Sequence, residues 1–405
     1  MTKISFDKYI NYLIIGYAFV LPTTIAGIVF LDHLIILSFI LRWKFAGVLP
    51  ELKQSKIILA LGALIAFSLV AVLWSSDKIF ALSYIQKYYH FLAIPIIYLV
   101  FNPKYIQHVF TSFLLGMLLS EILSYGIYFE LIHFNNVLPD DPSPFMNHSE
   151  YSIYLSFAAM ILLNRIFFTE HNRFKLFYFL YFLTTTSNLF INGGRTGQFI
   201  FIASIFVILI LNFKNKAVAI LSAVLLSTAI LTTAYNVSPV FQQRGDYAYR
   251  DITETLVDGN YHQSFGKRVS LWIMGTHVFK DNFLLGTGIG DEKTGMQQYA
   301  DKYNITLYQG LPDHGYIDYH NMYIQYAVQL GIPGLIIICY LVYSLFMLKF
   351  NSAIYRNLNI AFATSILIAA TVGNMLHTIF PMVYFAFFVA ILSAISRYEN
   401  KINAD

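Results

Sequence analysis

An all-α integral membrane protein of about 12 transmembrane helices, with one large, partly helical loop on the outer face, is the fold class this sequence predicts. Three observations carry that expectation. The 405 residues are 57% hydrophobic and only 12% charged, against about 45–50% and about 25% in soluble globular chains. Mean hydropathy is +0.60, and apolar runs of roughly 17–25 residues recur along the chain without the strict alternation of barrel strands. The basic residues, finally, gather in alternate connections.

In order, the apolar runs are Tyr9–Leu21, Ile25–Leu41, Ile57–Trp74, Phe80–Phe101, Ile106–Tyr128 and Tyr151–Phe168. The second half adds Phe174–Asn192, Gln198–Leu211, Ala217–Ala234, Met322–Leu348, Ile360–Leu376 and Pro381–Ile395. The first two are separated only by Pro22-Thr23-Thr24, which predicts a tight hairpin or one broken element. No cleavage signal follows the first run, so it is expected to remain as an anchor. Three regions result: a bundle of about nine spans over 1–234, an outer loop or cap over 235–319, and about three spans over 320–405.

Orientation follows from charge. Arg42, Lys44, Lys53 and Lys56; Lys104; Arg165, Arg173 and Lys175; Lys214 and Lys216; Lys349 and Arg356; and Arg397 and Lys401 all fall on one side if both termini are inside. That is the positive-inside pattern. The other side receives Asp140-Asp141, the turn Gly193-Gly194-Arg195 and the long segment from Tyr235 to Tyr319. Loops of that length are usually functional or disordered. Within it, Lys267 to Lys280 has helical periodicity, and Gly286-Thr287-Gly288-Ile289-Gly290 is turn-rich.

Candidate chemistry concentrates on this outer face. Arg195 lies between two spans among glycines that would let a large anion approach the backbone, the alternative being an arginine that reaches to lipid phosphate. Arg268 opens the amphipathic helix, where free helix-end amides could add to anion binding, or it pairs with a nearby acid. Lys267 beside it is the more expendable cation. His320, in Asp318-Tyr319-His320-Asn321, stands where the loop meets an apolar helix and can exchange a proton near neutral pH. Asp318 could orient its imidazole if the backbone folds back. His148, His262, His314 and His377 compete for that role.

Other features are expected to be inert. Asp140-Asp141 reads as a turn, and Asp32 and Glu121 as isolated carboxylates near span ends or without a cationic partner. Cys339 sits alone inside an apolar run, which excludes a disulfide framework. There is no ligand-spaced metal motif and no phosphate loop for ATP, so neither metal nor nucleotide cofactor is expected.

The run of Gly194-Arg195-Thr196-Gly197, then Gly266-Lys267-Arg268-Val269-Ser270-Leu271-Trp272, then Asn282 to Gly288, then His320-Asn321 and Gln329-Leu330-Gly331-Ile332-Pro333-Gly334-Leu335 resembles the O-antigen ligase family. That family lies in a superfamily with Wzy-type polymerases and bacterial protein O-oligosaccharyltransferases. The resemblance covers most of the chain. It implies a membrane glycosyltransferase of lipopolysaccharide biosynthesis in a Gram-negative inner membrane, its outer loop periplasmic. The donor would be O-antigen on undecaprenyl diphosphate and the acceptor a sugar hydroxyl of lipid A–core, with membrane lipids around and no nucleic acid partner. His320 would be the general base. Arg195 and Arg268 would bind the diphosphate, with Asn321, Asp318 and Lys267 in support, no metal or cofactor, and inversion at the anomeric carbon. One departure is Gln329, where relatives often carry Glu; buried in its helix, it is expected to be structural. A non-catalytic transporter of lipid-linked glycans is the rival from another class.

Overall fold

The computed structural model describes residues 6–42, 44–303 and 318–402; His314 lies outside them. The described secondary structure is helical throughout. The helices are α1 (Phe6–Val20), α2 (Ile25–Leu41), α3 (Val48–Leu52), α4 (Lys56–Ala71), α5 (Lys78–Gln86), α6 (Ala93–Val100), α7 (Ile106–Tyr128), α8 (His148–Phe168) and α9 (Asn172–Ile191). They continue with α10 (Arg195–Asn212), α11 (Lys216–Val237), α12 (Pro239–Val257), α13 (Ser264–Asp281), α14 (Glu292–Tyr303), α15 (Met322–Phe346), α16 (Ala353–Val372) and α17 (Ile379–Ile402). Among the described residues, seven helices are long and apolar enough to cross a membrane: α7 with the short turn before it, α8, α10, α11, α15, α16 and α17. α2 and α4 are apolar but shorter.

The centre of the bundle is α17. Its residues from Phe380 to Ser396 are buried all round, as befits a helix without a polar face. Around it, Phe30, Ile122, Phe177, Phe199, Leu225 and Ile336 point outward and are largely exposed. So much outward apolar surface suits a hydrocarbon surround rather than water.

Local chemistry sets the element ends. Thr24 caps α2 by accepting from the Gly27 amide, so α1 and α2 form the hairpin that Pro22-Thr23-Thr24 foretold. The run Phe80–Phe101 differs from its expectation as one span. It breaks into α5, a tight 3-10 stretch over Lys87–Leu92 and α6. Pro95 has no N–H to give to the preceding turn, and the chain tightens just upstream of it.

The break turns His90 inward, where its Nδ1 lies 2.5 Å from Asp32 Oδ2. Asp32 was expected to lack a partner or sit near a span end. It is instead mid-helix, buried and paired, because His90 comes from a segment 58 residues away. Glu121 is also buried and accepts from Thr185 Oγ1 at 2.7 Å.

A second break lies inside α15, where Gly331 leaves helical geometry at φ 65° and Pro333 follows. Pro333 cannot donate to the Gln329 carbonyl, and the Ile332 amide turns to Phe283 O at 2.9 Å. The two orphaned carbonyls are taken from outside: Thr287 N donates to Val328 O at 2.8 Å and Gly288 N to Gln329 O at 3.1 Å. The turn-rich stretch 283–288 therefore straps the broken helix. Contact is close enough to require glycine at Gly286, where a Cβ would sit 2.4 Å from the Gln329 carbonyl.

Candidate active site

The polar segment between α11 and α15 is helical in α12, α13 and α14, and α13 packs on the first half of α15. A small apolar cluster of Leu271, Met274, Val278, Met296, Tyr299, Tyr319 and Val328 joins them. Tyr319 is its anchor. The ring is fully buried against Gly275, its carbonyl accepts from Trp272 Nε1 at 3.0 Å, and its amide donates to Gln325 Oε1 at 3.0 Å.

His320 follows immediately, at φ 48°. Asp318 Oδ1 accepts its backbone N–H at 2.7 Å, which supports a conformation that L-residues seldom adopt. The bond is thus to the backbone, while the imidazole feels Asp318 as a nearby charge. Asn321 caps α15: its Oδ1 accepts from Tyr323 N and Ile324 N at 3.0 and 3.1 Å, and its Nδ2 donates to Thr371 O. Its contacts make it a hinge pin of the fold.

One cavity of about 190 Å³ is lined by His320, Asp318 and Arg268, together with Thr196, Glu150 and Asn374. Arg268 stands one turn before Trp272 on α13, so the bond from Trp272 to the Tyr319 carbonyl ties arginine and histidine together. Burial lowers the His320 pKa from its ordinary value. The neighbouring Arg268 charge acts in the same sense, and Asp318 opposes both. The ring is therefore neutral at neutral pH and can accept a proton.

Arg195 begins α10 and is exposed, beside Thr196 of the cavity. Its charged neighbours are Arg244, Arg268 and Asp251. Arg244, on α12, lies over the turn before α10: a Cβ on Gly193 would be 3.0 Å from its Nη2. Arg195 and Arg244 also share an adjoining cleft of about 430 Å³ with apolar walls that include Phe199, Ile202, Leu231 and Phe241. Arg244 and Arg268 both act on Arg195 as like charges, and Asp251 offsets them in part.

Two expectations are corrected here. Gly194 and Gly197 do not offer backbone to a ligand, because both are pressed against α8. A Cβ on Gly194 would meet His148 O at 2.3 Å, and one on Gly197 would meet Ser152 O at 2.0 Å. The free amides expected at the start of α13 are likewise occupied, since Asp251 accepts from Phe265 N at 2.6 Å and Gly266 N at 3.2 Å. Arg268 contributes its side chain alone, from the fifth position of that helix. Lys267 is exposed and is absent from the cavity wall.

The competing histidines are engaged or displaced. His148 Nδ1 lies 2.7 Å from Asp141, the second residue of the acidic turn. His262 is exposed on the surface. His377 stacks on Tyr84 and meets Lys87 Nζ at 3.2 Å, and burial followed by the Lys87 charge pulls its pKa down to about 3.

Sequence reasoning passed over Arg244, which sits in an ordinary polar helix, and Glu292, the first residue of α14. Glu292 is fully buried and accepts from the amides of Gln325 (3.3 Å) and Gln329, and burial raises its pKa to about 7. Gln329 is buried in its helix, and its partner is a carboxylate brought from another helix. Among the described residues no group of three or more His, Cys, Asp or Glu is placed to hold a metal ion.

Residues 180–339 match the family model described as O-antigen ligase. Over this segment the chain is similar to the O-antigen ligase family. No curated protein matches the chain. The matched segment runs from α9 into α15, so Arg195, Arg244, Arg268, Glu292 and His320 all fall inside it. The helices that surround it, with their membrane-length apolar runs, make it part of a multi-pass membrane protein.

Proposed function

We propose that this protein transfers O-antigen polysaccharide from undecaprenyl diphosphate to a sugar hydroxyl of lipid A–core, at the periplasmic face of the inner membrane. The observation that carries this reading is the convergence of Arg268 and His320 on one cavity, with Arg195 beside it, from three separate parts of the chain.

In the reaction, His320 is the general base. It takes the acceptor hydroxyl proton as that oxygen attacks the anomeric carbon, a task for which a neutral imidazole is suited. The bond from that carbon to the diphosphate breaks, and negative charge grows on the leaving oxygens. Arg195 and Arg268 neutralise it as permanently charged, fork-shaped donors. Arg244 stands near enough to share the load. Attack opposite the leaving group inverts the anomeric centre, and the arginines perform the task a divalent metal has in other glycosyl transfers. Asp318 supports the backbone of the base, and Asn321 fixes the helix behind it.

The test mixes purified protein with undecaprenyl-diphosphate glycan and lipid A–core, without nucleotide or metal. Joined product supports ligation; a lengthened donor instead assigns the chain to the polymerases. His320→Ala should lose joining while keeping its helical spectrum and membrane insertion. Full activity in that variant would remove the proposed base.

A further inference from the structure

A second cavity, of about 480 Å³, lies at the opposite end of the bundle from His320. It is bounded by the start of α4 and the ends of α15 and α17, whereas His320 and Thr378 mark the other ends of the last two helices. The 25 residues of α15 run from one level to the other. Nothing in the transfer reaction needs a site there.

Four cations line it: Lys56, Lys349, Arg397 and Lys401. Glu51 bonds Arg397 Nη1 and Lys401 Nζ, each at 2.7 Å. Lys56 and Lys349 form no ion pair among the described residues. The cavity thus keeps an excess of positive charge after its own carboxylate is counted.

Two hydroxyls point to an occupant. Ser344 and Ser393 line the same cavity, are 3% and 2% exposed, and their Oγ atoms have no hydrogen-bond partner among the described residues. Helical serines ordinarily return such a hydrogen to the preceding turn. Arg397 Nε is buried and unpartnered as well. Buried donors without acceptors, ringed by lysines, fit the oxygens of a phosphate.

The rest of the wall distinguishes a lipid from a free ion. Ile57, Tyr98, Met347 and Leu348 are apolar, and Met347 is 44% exposed. On the same ends of α4 and α15, Leu59 and Tyr343 are 50% and 54% exposed, a surface on which acyl chains can lie. We propose that this cavity seats the phosphate of an anionic membrane phospholipid, with Lys56, Lys349, Ser344 and Ser393 around the headgroup and the chains along α4 and α15. Basic pockets between spans are a known form of headgroup recognition.

Native mass spectrometry of the purified protein tests it, with phosphatidylglycerol, phosphatidylcholine and inorganic phosphate added in separate arms. Phosphatidylglycerol should be retained about tenfold over phosphatidylcholine, and Lys56→Gln/Lys349→Gln should remove most of that preference. Both lysines are exposed, so this variant should keep its melting temperature; each single substitution should show part of the loss. Ser344→Ala/Ser393→Ala should weaken retention by a smaller factor. Equal retention of the two lipids, or a preference untouched by the lysine substitutions, overturns the proposal. Inorganic phosphate bound in place of the lipid overturns the lipid assignment.

Discussion

Asp318 and His320 meet through the backbone: the carboxylate of the first accepts the N–H of the second at 2.7 Å, and the histidine is held at φ 48°. The same carboxylate raises the imidazole's affinity for protons, while burial and Arg268 lower it. A base works when deprotonated, so the rate of joining should rise with pH and level off below the ordinary histidine value of about 6.5. Asp318→Asn keeps the backbone acceptor but removes the charge, and should move the inflection of kcat/KM to lower pH. Arg268→Gln should move it to higher pH, besides slowing the reaction. A pH–rate series on the three proteins checks both signs; inflections that coincide would sink His320 as the titrating base.

Arg244 should behave as part of the anion site although no motif marks it. Arg244→Gln is expected to lower kcat/KM for the diphosphate-linked donor by about ten- to hundredfold, the worth of one charge-assisted contact. Melting temperature should barely change. Arg244→Lys should recover only part of the loss, since an ammonium lacks the planar fork. Steady-state kinetics with varied donor reads the effect, and a wild-type value in Arg244→Gln would confine the anion site to Arg195 and Arg268.

Glu292 gives the fold a pH dependence of its own. Its pKa rises from the usual 4.5 to about 7 on folding, because burial penalises the charged form. The stability gained from keeping it neutral is therefore complete below about pH 4.5 and fades as pH climbs toward 7. Glu292→Gln keeps acceptors for Gln325 and Gln329 and has nothing to ionise. Thermal unfolding in detergent should slope downward across that window in the wild type and more weakly in the variant. Parallel curves would mean that the carboxyl does not titrate there.

Two glycines with similar positive φ should respond differently to alanine. Gly286 has φ 74° and a Cβ there collides with the Gln329 carbonyl, whereas Gly259 has φ 66° and nothing within 4 Å. Gly259→Ala should cost about 1 kcal/mol of strain alone. Gly286→Ala adds overpacking and should cost about 3–5 kcal/mol, with activity falling as the strap loosens. Melting temperatures of the two variants give the comparison, and equal losses would mean that the strap can give way.

The helices were legible in the sequence because apolar runs and caps are local: α2 and α7 begin and end where their residues indicate. Arg195, Arg268 and His320 were legible because each sits in a short, ordered cluster of neighbours. What failed to show depends on partners distant along the chain. Asp32 looked isolated because His90 reaches it only after the break ahead of Pro95. Glycines 194 and 197 read as room for a ligand, although the space around them is filled by α8. Glu292 follows a glycine-rich turn that gives no hint of two glutamines waiting on α15.

The break at Gly331 and Pro333 has a mechanical consequence. Thr287 and Gly288 bond to the first half of α15 and Phe283 to Ile332 just past the break, while Trp272 and Glu292 grip the residues just before and within that first half. The first ten residues of that span are therefore tied to α13 and α14 on one side and to the bundle on the other, where Tyr326 meets Tyr88 and Asn321 bonds to Thr371. His320 and Arg268 are braced on one frame, so the gap between proton acceptor and anion clamp is held from the loop side by Trp272 and from the membrane side by Asn321.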